Sequence, residues 1–355
     1  MVSRVKHRPV LIILAIVMLV FLTLGALAFW QINAMINPVS ISSQDEKDIY
    51  IPYNSSVRQI ALILEEENII ANAFLFRLYF RYLSDGQVFQ AGHYKMTPGM
   101  PFENVVEVLQ QGMVLRDGIR FTIPEGYNIE QIAKKLADEN IIHEQVFLKA
   151  SVQFNDTEHF PFLEFVPDTT RYKLEGYLFP DTYEIYEGTS AEDIITIMLS
   201  RLKEVYNQDA LERLDELDLT MHESLTLASI VEKEGKSAEE RPLIAAVFHN
   251  RLAKDTMPLM QSCATVQYAI GEVKPVLTYQ DLAYDSPYNT YLNPDLPPGP
   301  IASPGFLSIE ATLYPADVDY LYFVYKEDGS GTHYFSKTLQ EHNENKRKAQ
   351  RNRGR

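Results

Sequence analysis

The chain has 355 residues, 46% of them hydrophobic and 23% charged, with a formal net charge of −16 and a single cysteine, Cys263. That length suits two or three domains and a core that needs no crosslinks. The acidic balance excludes a nucleic-acid partner, whose phosphates demand a basic surface, and one cysteine excludes an internal disulfide framework.

The first element is the uncharged run VLIILAIVMLVFLTLGALAFW, residues 10–30. About 21 residues of helix suffice to cross a hydrocarbon core of about 30 Å, so the run predicts a transmembrane helix. Arg4, Lys6 and Arg8 precede it, while Asp45, Glu46 and Asp48 come after it. The positive-inside rule therefore puts residues 1–9 in the cytoplasm and everything beyond a linker, 31–48, outside. A cleaved signal peptide is the alternative. The run exceeds a usual signal core and AFWQINAM is a poor cleavage site, which favours an uncleaved anchor.

Two stretches then resemble each other, IPYNSSVRQIALILEEENII from Ile51 and IPEGYNIEQIAKKLADENII from Ile123, at an offset of 72. Each predicts a short strand, a capped amphipathic helix and a turn at Glu-Asn. Between them, AGHYKMTPGMPFENVVEVLQQG predicts a strand, a Pro-Gly turn and a second amphipathic helix. These patterns divide the chain into a small α/β module over 49–120, a second repeat-like α/β segment over 121–170, and a mixed α+β domain over 171–345. The basic run 346–355 is expected to be a solvated, frayed tail.

In the third segment EGYLFPDTYEIYEGTS predicts a strand and turn, and helices come next. Ser190 with Asp193, Thr220 with Glu223 and Ser237 with Glu240 have the spacing of three N-caps. In the helix opened by Thr220, Leu227, Ile230, Val231 and Glu234 share one face at i, i+3, i+4 and i+7. A carboxylate therefore continues an apolar stripe, just before Gly235 offers a C′ stop. Lost solvent and the negative end of the helix dipole both favour a protonated carboxyl there, which is the condition of a general acid. The bland alternative is that Glu234 frays into water or pairs with a cation. Glu232 and Lys233 read as the solvated face.

The loop SPYNTYLNPDLPPGPIASPG alternates rings, amides and prolines, a surface suited to carbohydrate or simply a stiff structural loop. YLYFVYKEDGSGTHYF predicts a β-hairpin. HExxH, Walker and GxSxG motifs are absent, and His333 and His342 stand too far apart in sequence to suggest a metal, so no metal or cofactor is expected. Cys263 reads as a packed thiol rather than a nucleophile.

Taken together and in order, EGYLFPDTYEI, LASIVEKE, VFHNRL, MPLMQSCATVQYA, SPYNTYLNPDLPPGPIASPG and THYFSKTLQEHN resemble the YceG-like family of membrane-anchored endolytic murein transglycosylases. The resemblance covers nearly the whole chain. It implies an α+β protein with an N-terminal transmembrane helix, a small LysM-like module and a mixed α+β catalytic domain, single-pass in a bacterial cell membrane. It further implies cleavage of peptidoglycan between N-acetylmuramic acid and N-acetylglucosamine without water, leaving 1,6-anhydromuramyl ends. Its catalytic glutamate falls on Glu234, where the stripe argument also points. Glu175, Asp181, Gln261, Ser262, Thr265, Tyr288, Asn289 and Thr290 are the implied substrate-binding residues. Peptidoglycan strands and the membrane are the implied partners, with membrane-bound synthases as candidates for the apolar helix. One departure matters: the family often carries Asp where this chain has Cys263, so a carboxylate helper is missing there. A hydrolytic muramidase and a non-catalytic wall-binding anchor remain the alternatives.

Overall fold

A computed structural model describes residues 8–37, 46–53, 55–83, 89–112, 118–254, 256–257 and 259–353. The chain divides into two compact units, Met1–Asp117 and Gly118–Arg355. Arg4, Lys6 and linker residues 38–45 lie outside the described residues.

In the first unit, helix α1 (Arg8–Ile36) is longer than the run 10–30 because QINAMI contains no breaker; it stops before Asn37-Pro38, where proline disfavours helical geometry in its predecessor. Its Ile16–Ile36 stretch is long and apolar enough to cross a membrane. Beyond it lie strand β1 (Lys47–Ile51), helices α2 (Val57–Glu66) and α3 (Ala73–Leu83), strand β2 (Gly92–Met96) and helix α4 (Phe102–Gln111). β1 pairs antiparallel with β2, Lys47 facing Met96. The alternating inward residues Ile49, Ile51, Tyr94 and Met96 meet Ile60, Leu64, Phe76 and Phe102 in one core.

The second unit opens with the same plan: strand β3 (Ile119–Thr122), helices α5 (Ile129–Asp138) and α6 (Glu144–Gln153), and a returning antiparallel strand β4 (Thr182–Ile185). The internal repeat is thus visible in local chemistry. Ser56 with Gln59, and Asn128 with Gln131, form equivalent capping boxes. The Glu-Asn turns put Asn68 and Asn140 at φ 61° and 57°, the left-handed conformation asparagine tolerates best after glycine. In the second copy the return strand is delayed by residues 154–181. Residues 121–170 also share one core with the rest of the second unit, Phe121, Leu136 and Phe147 packing in a cluster with Leu174, Ile195 and Leu225.

The helices α7 (Ala191–Val205), α8 (Gln208–Leu217), α9 (Met221–Glu234), α10 (Arg241–Leu252), α11 (Cys263–Ile270), α12 (Tyr279–Leu282) and α13 (Phe306–Leu313) come next. Strands β5 (Tyr322–Tyr325) and β6 (His333–Ser336) form the expected hairpin, and α14 (Leu339–Arg353) closes the described chain. Ser190 and Thr220 cap α7 and α9 as their spacing predicts. Ser237 does not cap: residues 238–240 form a 3₁₀ turn, and the Glu240 carboxylate instead accepts from the His333 backbone N–H at 3.0 Å and meets its ring Nδ1 at 2.8 Å. The basic run is not frayed through its described part. It is helical to Arg353 and packs on β5 and β6, held by buried Ala349 and by Asn352 Nδ2 donating to Lys326 O at 2.7 Å.

Candidate active site

Helix α9 packs against α8, α10, α11 and α13, so nearly its whole circumference is interior. Leu227, Ile230 and Val231 lie in one cluster with Ile244, Phe248, Met260 and Tyr288. Glu234, next on that face, is half-buried and reaches a cleft of about 500 Å³. The apolar stripe therefore ends at an opening, and the carboxylate stands in it.

Gly235 ends α9 at φ −87° and ψ 89° instead of a left-handed stop. Its missing side chain serves space: a Cβ there would lie 2.9 Å from Arg241 Cγ and 3.0 Å from Val231 O. Arg241 explains why, and it overturns the reading of Glu232 as solvated. The Glu232 side chain is only 7% exposed, with Oε1 3.0 Å from Arg241 Nη2. Its other oxygen accepts from Gly305 N–H at 3.1 Å and Ser308 Oγ at 2.8 Å, at the N-terminus of α13. Lys233 is exposed as expected. The two glutamates thus divide the work, Glu232 bracing three segments and Glu234 facing the cleft.

One hydrogen bond orients Glu234. Ser262 Oγ donates to its Oε1 at 2.6 Å, and the same Oγ accepts from Ala264 N–H at 3.2 Å, which commits the hydroxyl proton to the carboxyl. Ser262 is itself held from behind. Its N–H donates to Thr290 Oγ1 at 3.1 Å, Gln261 N–H donates to Thr290 O at 3.1 Å, and Thr265 Oγ1 lies 2.8 Å from Thr290 Oγ1. Asn289 shapes the loop, its Nδ2 donating to Leu282 O and Tyr284 O while its Oδ1 accepts from Tyr291 N–H. Tyr288 packs against Tyr268 with centroids 4.9 Å apart, and its hydroxyl accepts from Arg171 N–H. Replacing Ser262 by alanine is expected to lower kcat about tenfold, the worth of one hydrogen bond to a charged group. Loss of the α11 cap costs about 1 kcal/mol of stability at the same time. Steady-state kinetics beside a denaturation curve separates the two effects.

Glu175 and Asp181 are not among the residues lining the cleft. Asp181 forms an ion pair with Arg201 at 2.7 Å. Glu175 is buried, accepting from Ile129 N–H at 3.0 Å and from Tyr268 Oη at 2.9 Å. Burial pushes its carboxyl up to about 7. With its folded value above the unfolded one, the folded state holds the proton more tightly, so this contribution is complete below the ordinary carboxylate range and is lost as pH rises through about 7. Stability in denaturant is expected to fall from about pH 5 to about pH 8 by up to ~3 kcal/mol from this group. Glu175→Gln should flatten that fall; an unchanged slope would clear Glu175 of the effect.

The cleft is also lined by Tyr291, one of the rings that suit the loop to carbohydrate, and by Cys263, which is exposed and not the packed thiol expected. Tyr291 and Cys263 stand beside Gln261, their Oη and Sγ 3.2 Å apart. Arg251 comes from α10, Tyr325 and His333 from the hairpin, and His342 and Lys346 from α14. The stretches MPLMQSCATVQYA and THYFSKTLQEHN contain Cys263, His333 and His342, but nothing in their local spacing shows that they meet. Among the lining residues Glu234 is the sole carboxylate. No group of His, Cys, Asp and Glu among the described residues has a metal-binding arrangement.

Comparison with known proteins sets this geometry in a family. The model of the YceG-like family matches residues 49–348. An endolytic murein transglycosylase of Bacillus subtilis is 38% identical over 334 residues, covering 90% of this chain and 89% of that protein. One of Streptococcus pneumoniae is 32% identical over 367 residues, covering 96% of this chain and 65% of that protein. A crystal structure of a YceG-like protein from Listeria monocytogenes matches at 39% identity and a TM-score of 0.58, over 85% of this chain and 99% of that one. Residues 49–348 carry nearly all of the α/β module that follows α1 and the Glu234 cleft together, and with a match of that extent the chain belongs to the YceG-like family.

Proposed function

We propose that this protein is an endolytic murein transglycosylase that cleaves the bond between N-acetylmuramic acid and N-acetylglucosamine without water. The observation that carries the reading is a lone carboxylate, Glu234, fixed by Ser262 in a cleft with no second acid among its lining residues. Glycosidases that use water typically need two carboxylates flanking the bond. A lyase needs one, because the muramyl C6 hydroxyl is a nucleophile within the substrate and its orientation supplies much of the rate.

With Ser262 donating to Oε1, Oε2 is the oxygen left to carry the shuttled proton. Protonated Glu234 gives that proton to the glycosidic oxygen as the C1–O bond breaks. The carboxylate then takes the C6 hydroxyl proton as O6 closes on C1, which leaves a 1,6-anhydro ring and returns Glu234 to its starting state. Gln261, beside Ser262 at the cleft, is placed to bind the sugars, while Thr265, Tyr288, Asn289 and Thr290 act by holding the loop.

The apolar helix anchors the protein in the bacterial cell membrane, with the amino terminus cytoplasmic and the chain beyond the linker 31–48 outside, next to nascent strands and their synthases. The strand-helix-helix-strand plan of the first unit supports its reading as a LysM-like glycan-binding module. Mass spectrometry of strands digested by the full-length protein in detergent tests the reaction. Anhydromuramyl ends are expected. Reducing ends would establish a muramidase, and an undigested polymer would leave only a binding anchor.

A further inference from the structure

The cleft holds more positive charge than the described residues balance. Arg251 is 7% exposed, and its guanidinium is clamped by three backbone carbonyls: Nε donates to Leu321 O at 2.7 Å, and Nη1 to Met260 O at 2.8 Å and Leu259 O at 3.1 Å. Among the described residues it forms no ion pair, and its Nη2 is left over from the clamp. A buried cation without a counter-ion is costly unless something else supplies the charge. The nearby polar groups are phenols: its guanidinium lies over the Tyr322 ring at 5.3 Å.

His342 stacks on that same Tyr322 ring, with centroids 5.1 Å apart, and its Nδ1 is buried with no hydrogen-bond partner among the described residues. Lys346, one turn further along α14, is exposed, lines the same cleft and has no ion pair among the described residues. Burial, and then Lys346 and Arg251, hold the His342 imidazole below its usual range, so the three groups share one field. Glu234, the sole carboxylate of the lining, is bonded to Ser262 and forms no ion pair among the described residues. In a chain of net charge −16, an uncompensated cationic pocket beside the acid is a built feature.

We infer that Arg251, His342 and Lys346 form a subsite for a carboxylate of the substrate, and that this carboxylate belongs to the peptide stem. The inference rests on the murein reading. In a stem-bearing strand each muramyl lactyl carboxyl is tied up as an amide, so the sugars offer hydroxyls and acetamides but no ionised group, whereas the stems are rich in carboxylates. A carboxylate between Nη2 of Arg251 and Nζ of Lys346 makes charge-assisted hydrogen bonds and supplies the missing counter-ion. The subsite therefore selects strands with free stem carboxylates over strands in which those carboxylates are amidated.

The test measures binding apart from cleavage. Full-length Glu234→Gln protein in detergent is titrated with stem-bearing glycan strands of one length, their stem carboxylates either free or converted to amides. Strands with free stem carboxylates are expected to bind about tenfold tighter or better, the worth of one charge-assisted hydrogen bond. Adding Arg251→Gln or Lys346→Glu should bring the ratio to about one. Arg251→Gln removes internal hydrogen bonds, so Lys346→Glu, at an exposed position, carries the test if that variant does not fold. Equal affinities, or a preference untouched by Lys346→Glu, would overturn the subsite. Wild-type digestion of both polymers runs alongside. Failure to cut either one, with the binding preference intact, sinks the transglycosylase reading and leaves the subsite standing.

Discussion

Glu234→Gln is expected to lower turnover of glycan strands by about 10²- to 10⁴-fold, the contribution of a positioned acid-base group. The unfolding midpoint should move little, within ~0.5 kcal/mol of wild type. Both parts come from the surroundings. The side chain is half-buried at a helix end, and the bond that orients it is the one from Ser262 Oγ at 2.6 Å. A glutamine oxygen still accepts that bond, so the geometry survives and only the transferable proton is lost. Among the lining residues no other carboxylate stands ready to replace it. Kinetics with a defined strand, and a denaturation curve on the same sample, decide the matter. Retained turnover would remove Glu234 from the chemistry, and a large loss of stability would make it a structural residue.

Glu232→Ala should do the reverse, destabilising the second unit by about 3–5 kcal/mol, the usual cost of removing one partner of a buried ion pair. Arg241 would keep the Gly235 carbonyl at 3.4 Å and, for its charge, Glu125, 3.5 Å away and far more exposed than Glu232, and its Nη1 already has no partner among the described residues. Gly305 N–H and Ser308 Oγ would lose their acceptor at the start of α13 as well. The check is a double-mutant cycle. If the pair is coupled as described, Glu232→Ala with Arg241→Ala together costs less than the two single changes added. Simple additivity would mean that Glu232 acts through α13 alone.

These two glutamates also mark where the sequence is readable. Glu234 can be found because its signal is local: three apolar residues on one helical face, then a carboxylate at the next position. The repeat, two of the three N-cap pairs and the β5–β6 hairpin are readable for the same reason, since each is written in short local patterns. Glu232 misleads because its partners are remote, Arg241 on the next helix and Ser308 some 76 positions away. Glu240 shows the same failure at still longer range. Its spacing to Ser237 suits a cap, but His333, 93 positions on, offers two donors and wins. Composition makes the basic run look like a tail, and only the β5–β6 surface that receives Ala349 and Asn352 makes it a helix. Of the eight implied substrate-binding positions, Gln261 and Ser262 stand at the acid, four brace the loop behind it, and Glu175 and Asp181 lie away from the cleft lining.

The cleft is assembled from two stretches of chain, residues 234–263 with the loop after them, and residues 322–346. A ribosome makes the first long before the second. Until Tyr322 to Lys346 has emerged and folded back, Glu234 sits on an open face with neither the hairpin nor α14 beside it. A nascent or prematurely terminated chain therefore carries the acid without the enclosure, and the cleft is complete only once synthesis has passed α14.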